Sequence, residues 1–199
     1  MIEVEVKAHV TDFEDVKNKL TEIAAEKIGT EHQMDVYFNA PHKDFAQTDE
    51  ALRIREIPES EGKRIILTYK GAKLDGVSKT RKEIEVDVSD SEKMASILTN
   101  IGFRAAAKVE KDRVIYLFND SIISLDKVHN VGSFVEIEKE AQEGENFNDA
   151  VDEIFEIYKK LGIEEGFERR SYLELMGVNW NLTFFISIIP KLDFVYSNN

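Results

Sequence analysis

Charged residues in this chain recur two apart, with apolar residues between them. Glu3, Glu5 and Lys7 alternate with Ile2, Val4 and Val6. Arg53 and Arg55 stand against Leu52 and Ile54, and Arg81, Glu83, Glu85 and Asp87 against Ile84, Val86 and Val88. Lys70 shares its side with Ile66 and Thr68, Lys111 and Arg113 are two apart, Asp126 has the parity of Ser124, and Glu136 and Glu138 flank Ile137. A period of two is that of a β-strand, whose successive side chains point to opposite faces. The pattern predicts strands at about Ile2–Val10, Gln33–Asn39, Ala51–Ile57, Lys63–Lys70, Thr80–Val88, Ala105–Phe118, Ser121–Val128 and Gly132–Lys139.

A single strand of this kind is an ordinary half-solvated one. Eight strands that each gather charge on one face are better explained by closure, because in a barrel those faces meet in the lumen. Helical stretches interrupt the strands at Phe13–Ile23, Glu92–Ile101 and Ala150–Leu161, with Thr11 or Asp12, Ser89 to Ser91, and Asn146 or Asn148 as caps and Gly102 and Gly162 as stops. The fold expected is α+β, a closed antiparallel eight-stranded β-barrel with peripheral helices.

A lumen packed with unlike charges is tolerable only if mobile counter-charges can enter. A divalent cation answers the acids, and a triphosphate answers the bases. Mg²⁺ or Mn²⁺ suits carboxylate oxygens. Arg53, Arg55 and Arg113 offer planar forks for phosphate, while Lys7, Lys70 and Lys111 act as point charges. No cysteine is present, which excludes disulfides and thiolate metal sites. No Gly-rich P-loop or nucleophile elbow occurs. His32, His42 and His129 are scattered, His9 lies on the Lys7 side of the first strand, and each reads as a surface or satisfied histidine.

The net charge of -13 argues against a nucleic-acid partner bound on a basic surface. No apolar run approaches the ~18 residues that cross a bilayer. Strand alternation begins at the first residues and leaves no room for a signal peptide, so a cytoplasmic protein without a membrane partner is expected.

The ordered set of motifs resembles the CYTH superfamily, the triphosphate tunnel metalloenzymes. The resemblance starts with Glu3-Val-Glu5-Val-Lys7 and continues through Gln33–Phe38, Asp44–Arg55, Leu67–Gly71 and Ser78–Val86. It goes on through Lys111-Asp-Arg113, Leu125-Asp126 and Gly132–Glu138, and closes with Arg169–Leu175. The Asp44–Arg55 block and the closing Ser-Tyr-Leu-Glu-Leu are similar to the class IV adenylyl cyclase branch, in its archaeal type. The resemblance implies that Glu3, Glu5, Glu136 and Glu138 hold one or two divalent ions. It implies that Lys7, Arg53, Arg55, Lys70, Lys111 and Arg113 grip the triphosphate, with Arg81, Glu83 and Glu85 completing the wall. Asp126 falls where the family places an acid near the reacting phosphate or metal, so the catalytic set is Glu3, Glu5, Lys7, Asp126 and Glu136. Asp35 and Tyr37 order neighbouring groups. The activity implied is adenylyl cyclase, with an inorganic or organic triphosphatase (tripolyphosphate or thiamine triphosphate) as the alternative and a non-catalytic polyphosphate- or nucleotide-binding module third.

The resemblance defines a catalytic domain over residues 1–178. Residues 179–199 form an apolar extension in which Asn179–Pro190 carries no charged side chain. An apolar segment needs cover, so packing on the barrel or at a homodimer interface is expected.

Overall fold

Each charged stripe is one wall of a closed barrel. The computed structural model describes residues 2–142 and 146–177. The strands are β1 (Ile2–Val10), β2 (Glu26–Asn39), β3 (Ala51–Pro58), β4 (Lys63–Lys70), β5 (Arg81–Asp87), β6 (Arg104–Phe118), β7 (Ser121–Val128) and β8 (Gly132–Ala141). All neighbours are antiparallel, in the circular order β1-β5-β4-β3-β2-β6-β7-β8. The helices are α1 (Glu14–Glu22), α2 (Phe45–Thr48), α3 (Ser91–Asn100), α4 (Phe147–Lys160) and α5 (Tyr172–Leu175).

The barrel is polar within and apolar without because helices supply its outer core. α1 and α4 bring Val16, Leu20, Ile154, Ile157, Tyr158 and Leu161 onto Val4, Val6, Ile123, Leu125, Val135 and Ile137 of β1, β7 and β8. Burying such side chains contributes roughly 1.5–3 kcal/mol each. The Tyr158 hydroxyl, fully enclosed there, lies 2.8 Å from the carbonyls of both Val6 and Val135, which share its single proton. α3 seats Leu98 against Phe38, Ile54 and Ile65 of β2, β3 and β4. A third cluster lies inside the barrel. Tyr172 and Leu173 of α5 pack with Tyr37, Ala107, Val109, Val128 and Phe134, which share strand parity with the charged residues. The lumen is therefore apolar where α5 packs into it and charged beyond.

Several boundaries differ from those the alternation predicts. β2 starts at Glu26 rather than Gln33, because Glu26–His32 is polar on both faces and bulges between Lys27 and Gly29. α4 starts at Phe147, one residue after Asn146 caps the Asn148 amide. Asp90 is the cap of α3, accepting from the Lys93 amide at 2.9 Å. α2 and α5 have four residues each, too few for a helical period to show. The hairpin at Asn119-Asp120 forms with Asn119 in the left-handed region, at φ 56°, which asparagine tolerates better than most residues. The expected packing of residues 179–199, and the domain limit at 178, lie outside the described residues. No helix among the described residues is long and apolar enough to cross a membrane.

Candidate active site

Register brings the acids together first. β1 and β8 run antiparallel with Glu5 opposite Glu138 and Lys7 opposite Glu136, while Glu3 lies opposite Arg81 of β5. On the far side of the lumen, β2 between β3 and β6 sets Asp35 opposite Arg55 and Tyr37 opposite Arg53, and β7 sets Asp126 opposite Arg113. The cavity enclosed has a volume of about 220 Å³, room for roughly seven waters at ~30 Å³ each. Glu3, Glu5, Glu136, Glu138, Arg53, Arg55, Lys70, Arg81, Lys111 and Arg113 all line it. Glu83 and Glu85 line it too, but Glu85 is 41% exposed and Asp87 faces solvent, so the acidic stripe of β5 is enclosed only over Arg81 and Glu83.

Two residues of the predicted catalytic set stop short of the cavity. The Lys7 ammonium donates to the Arg170 carbonyl at 2.5 Å and lies 4.1 Å over the Tyr172 ring. Asp126 is fully buried beneath the cations. It accepts from Lys111, from both Nε and Nη2 of Arg113, each at 2.6 Å, and from the Tyr172 hydroxyl at 2.9 Å. With its oxygens thus engaged, Asp126 reaches a ligand only through Lys111 and Arg113.

The guanidinium groups also divide. Arg55 gives Nε and Nη2 to Asp35, both at 2.7 Å, a bidentate pair. Burial disfavours the Asp35 anion, yet Arg55 and Arg53 outweigh it and hold that carboxyl well below the usual range. Arg53 is held loosely, at 3.4 Å from Asp35 and 3.6 Å from Glu85, and its buried Nε has no partner among the described residues.

Lys79, just before β5, is absent from the sequence-based set. Its buried ammonium pairs with Glu5 and stands 3.5 Å from Glu136. Burial opposes its charge, but Glu5 and Glu136 outweigh it and raise its pKa. Lys79 has the parity of Arg81, but the strand expected to begin at Thr80 hides this. Tyr172 is the second omission, and no alternation marks it. The histidines are not all scattered: on the outer face His32 and His129 share Asp112, at 2.8 and 3.1 Å.

Among the described residues, no three His, Asp or Glu groups stand at metal-ligand spacing. The donor chemistry nevertheless fits a hard divalent ion. Burial, reinforced by the charges of Glu3 and then Glu5 and Glu136, pushes the Glu138 carboxyl up to about 8. Burial also raises Glu3, with Lys70 opposing and Glu83 adding to the rise. Glu3 and Glu138 are crowded by like charge, and a divalent ion with oxygen ligands would offset it. Glu136 is the exception: despite burial, Lys79, Lys111 and Arg113 hold it well below its ordinary value. Burial and the neighbouring Lys79 bring the Lys7 ammonium down to about 7, and burial with Arg113 brings Lys111 down to about 8.

The CYTH domain pattern matches residues 1–172. The chain belongs to the CYTH family. A relative from Methanocaldococcus jannaschii, named as a candidate adenylate cyclase, is 41% identical over 179 residues, covering 89% of this chain and all of that protein. A solved protein of Pyrococcus horikoshii superposes with a TM-score of 0.81 at 41% identity, covering 87% of this chain and 97% of the other. A Hippeastrum protein, named as a candidate adenylyl cyclase with a dominant triphosphatase activity, shares the CYTH fold. Its TM-score is 0.63 at 20% identity, over 88% of this chain and 95% of that one.

Proposed function

We propose that the chain is a metal-dependent adenylyl cyclase that converts ATP to cyclic AMP and pyrophosphate. The supporting observation is the division of the lumen. Carboxylates of β1 and β8 face guanidinium and ammonium groups of β3, β4 and β6 around one cavity. The CYTH family acts on triphosphates and is generally metal-dependent. In our reading Glu3, Glu5, Glu136 and Glu138 would hold Mg²⁺ or Mn²⁺. Arg53, Lys70, Arg81, Lys111 and Arg113 would take the triphosphate, with Arg55 and Asp126 fixing their positions from behind. Lys7, buried against Tyr172, would supply positive charge at the floor. The bound ion would neutralise the leaving pyrophosphate and sharpen the attacking oxygen. The ribose 3′-oxygen forms a bond to the α-phosphorus as the bond to the β-phosphate oxygen breaks, and its proton passes to a carboxylate of the acidic wall. Most of the catalysis is positioning and charge stabilisation, so no covalent nucleophile is needed.

A second reading rests on the cavity's lining. Tyr37, Phe45, Ala46, Ala51, Tyr172 and Leu173 are its apolar or aromatic members, and all the others are polar or charged. Water attack on the terminal phosphate of tripolyphosphate or a small organic triphosphate needs no purine pocket. Incubation with ATP and, separately, with tripolyphosphate, each with Mg²⁺ or Mn²⁺, decides between them. The cyclase reading expects cyclic AMP and pyrophosphate from ATP. Orthophosphate from both substrates without cyclic AMP would establish the hydrolase instead.

A further inference from the structure

The cations of the lumen differ in what holds them. Lys70 pairs with Glu83, Arg55 with Asp35, and Lys111 and Arg113 with Asp126, all acids outside the four assigned to the metal. Lys70 has Glu3 only as a second partner, at 3.6 Å. Arg113 also reaches Glu136, at 2.5 Å, but keeps its two bonds to Asp126 if Glu136 turns away. Lys79 is held differently. Its ammonium pairs with Glu5 of β1 and stands 3.5 Å from Glu136 of β8, and among the described residues these are the only acids it pairs with. Both belong to the proposed metal set.

The backbone around Lys79 is pinned, so only its side chain can change partners. The Lys79 amide donates to the Glu5 carbonyl and the Leu74 amide to the Thr80 carbonyl, both at 2.8 Å, while Arg169 donates to the Ser78 carbonyl at 3.3 Å. The flexible four-carbon stem carries a compact charge into the cavity that Lys79 lines. An ammonium and a divalent ion compete for the same carboxylate oxygens. Mg²⁺ draws its ligands to about 2.0–2.1 Å and repels a positive charge close by. A metal on Glu5 and Glu136 therefore strands Lys79, which is only 8% exposed, without an anion. A buried charge that has lost its partner is strongly unfavourable. A triphosphate in the same cavity supplies a new one.

We propose that Lys79 is an exchangeable counter-ion. It leaves Glu5 and Glu136 when they take a divalent ion and moves onto the triphosphate, so that each ligand binds well only with the other. This rests on the metal and triphosphate reading above and adds the residue that couples the two ligands. Lys79→Met keeps the length of the side chain and removes its charge. In calorimetry on the full chain, Mn²⁺ alone is expected to bind Lys79→Met at least ~5-fold tighter than the unsubstituted chain, the low end of couplings between sites. The gain in tripolyphosphate affinity that Mn²⁺ confers is expected to shrink by at least ~5-fold in the same variant. Acetylation of Lys79, followed by mass spectrometry, gives a reading on the unsubstituted chain. It is expected to be slow without ligands, faster with Mg²⁺ alone, and slow again once tripolyphosphate joins the Mg²⁺. Where Lys79→Met does not fold, the acetylation result decides. Mn²⁺ binding no tighter in Lys79→Met, or Lys79 acetylation indifferent to Mg²⁺, would overturn the proposal and leave the metal site standing. An unsubstituted chain that binds no Mn²⁺, with or without tripolyphosphate, would overturn both.

Discussion

Glu5→Gln and Glu136→Gln are each expected to lower turnover by at least ~100-fold, the scale on which losing one charge-stabilising group acts, while the barrel stays folded. Each substitution removes one negative charge from the acidic wall and keeps the side chain's size. The fold survives because no cation is stranded. Without the Glu5 charge, Lys79 retains Glu136 at 3.5 Å, and without the Glu136 charge, Arg113 retains its two bonds to Asp126. Reduced metal affinity is expected to accompany the loss, so excess Mn²⁺ restores part of the rate. Steady-state kinetics across a metal titration, with circular dichroism on the same samples, checks both halves. Near-normal turnover at limiting metal would show that these acids are not the ligands.

The second large effect separates two arginines that look alike in the sequence. Arg55→Ala leaves the buried Asp35 carboxylate without its bidentate partner, and breaking a buried pair from one side costs about 3–5 kcal/mol. Thermal or denaturant unfolding should register this directly. Arg53→Ala removes only the 3.4 and 3.6 Å contacts, so its stability cost is smaller. Its loss falls on binding, because Arg53 has an unpartnered Nε and lines the cavity. Removing a charged hydrogen-bonding group is worth ~1.5–3 kcal/mol, which is roughly 10- to 150-fold in triphosphate affinity. Calorimetric titration with tripolyphosphate measures it. If Arg53→Ala unfolds the protein more readily than Arg55→Ala, the division of roles is wrong.

Parity carried most of what could be read in advance. Glu3, Glu5, Arg53, Arg55, Lys111, Arg113, Glu136 and Glu138 all line the cavity because strand geometry leaves alternate side chains no other direction. Closure was legible from the repetition of that pattern over eight segments. What parity does not carry is depth. Lys7, Glu5 and Glu3 have the same parity, yet Lys7 is stopped under Tyr172 while the other two reach the cavity. Asp126 shares the inward face but is consumed by three neighbours. These distinctions depend on α5, a four-residue helix arriving from far along the chain, whose capping box at Ser171 and Glu174 is its only local signature. Lys79 was hidden for a related reason. It precedes the regular strand, where its backbone amide bonds to the Glu5 carbonyl at 2.8 Å.

In the proposed reading the lumen takes a triphosphate and a divalent cation together, each offsetting charge that the other leaves. Ligands that bind only the folded state raise its stability by RT ln(1 + [L]/Kd), about 2.7 kcal/mol at a hundredfold excess over Kd. The direct measurement is the melting temperature of the full chain with tripolyphosphate, with Mg²⁺, and with both. A rise with both that exceeds the sum of the two separate rises is expected. No shift at millimolar concentrations of the pair would contradict it.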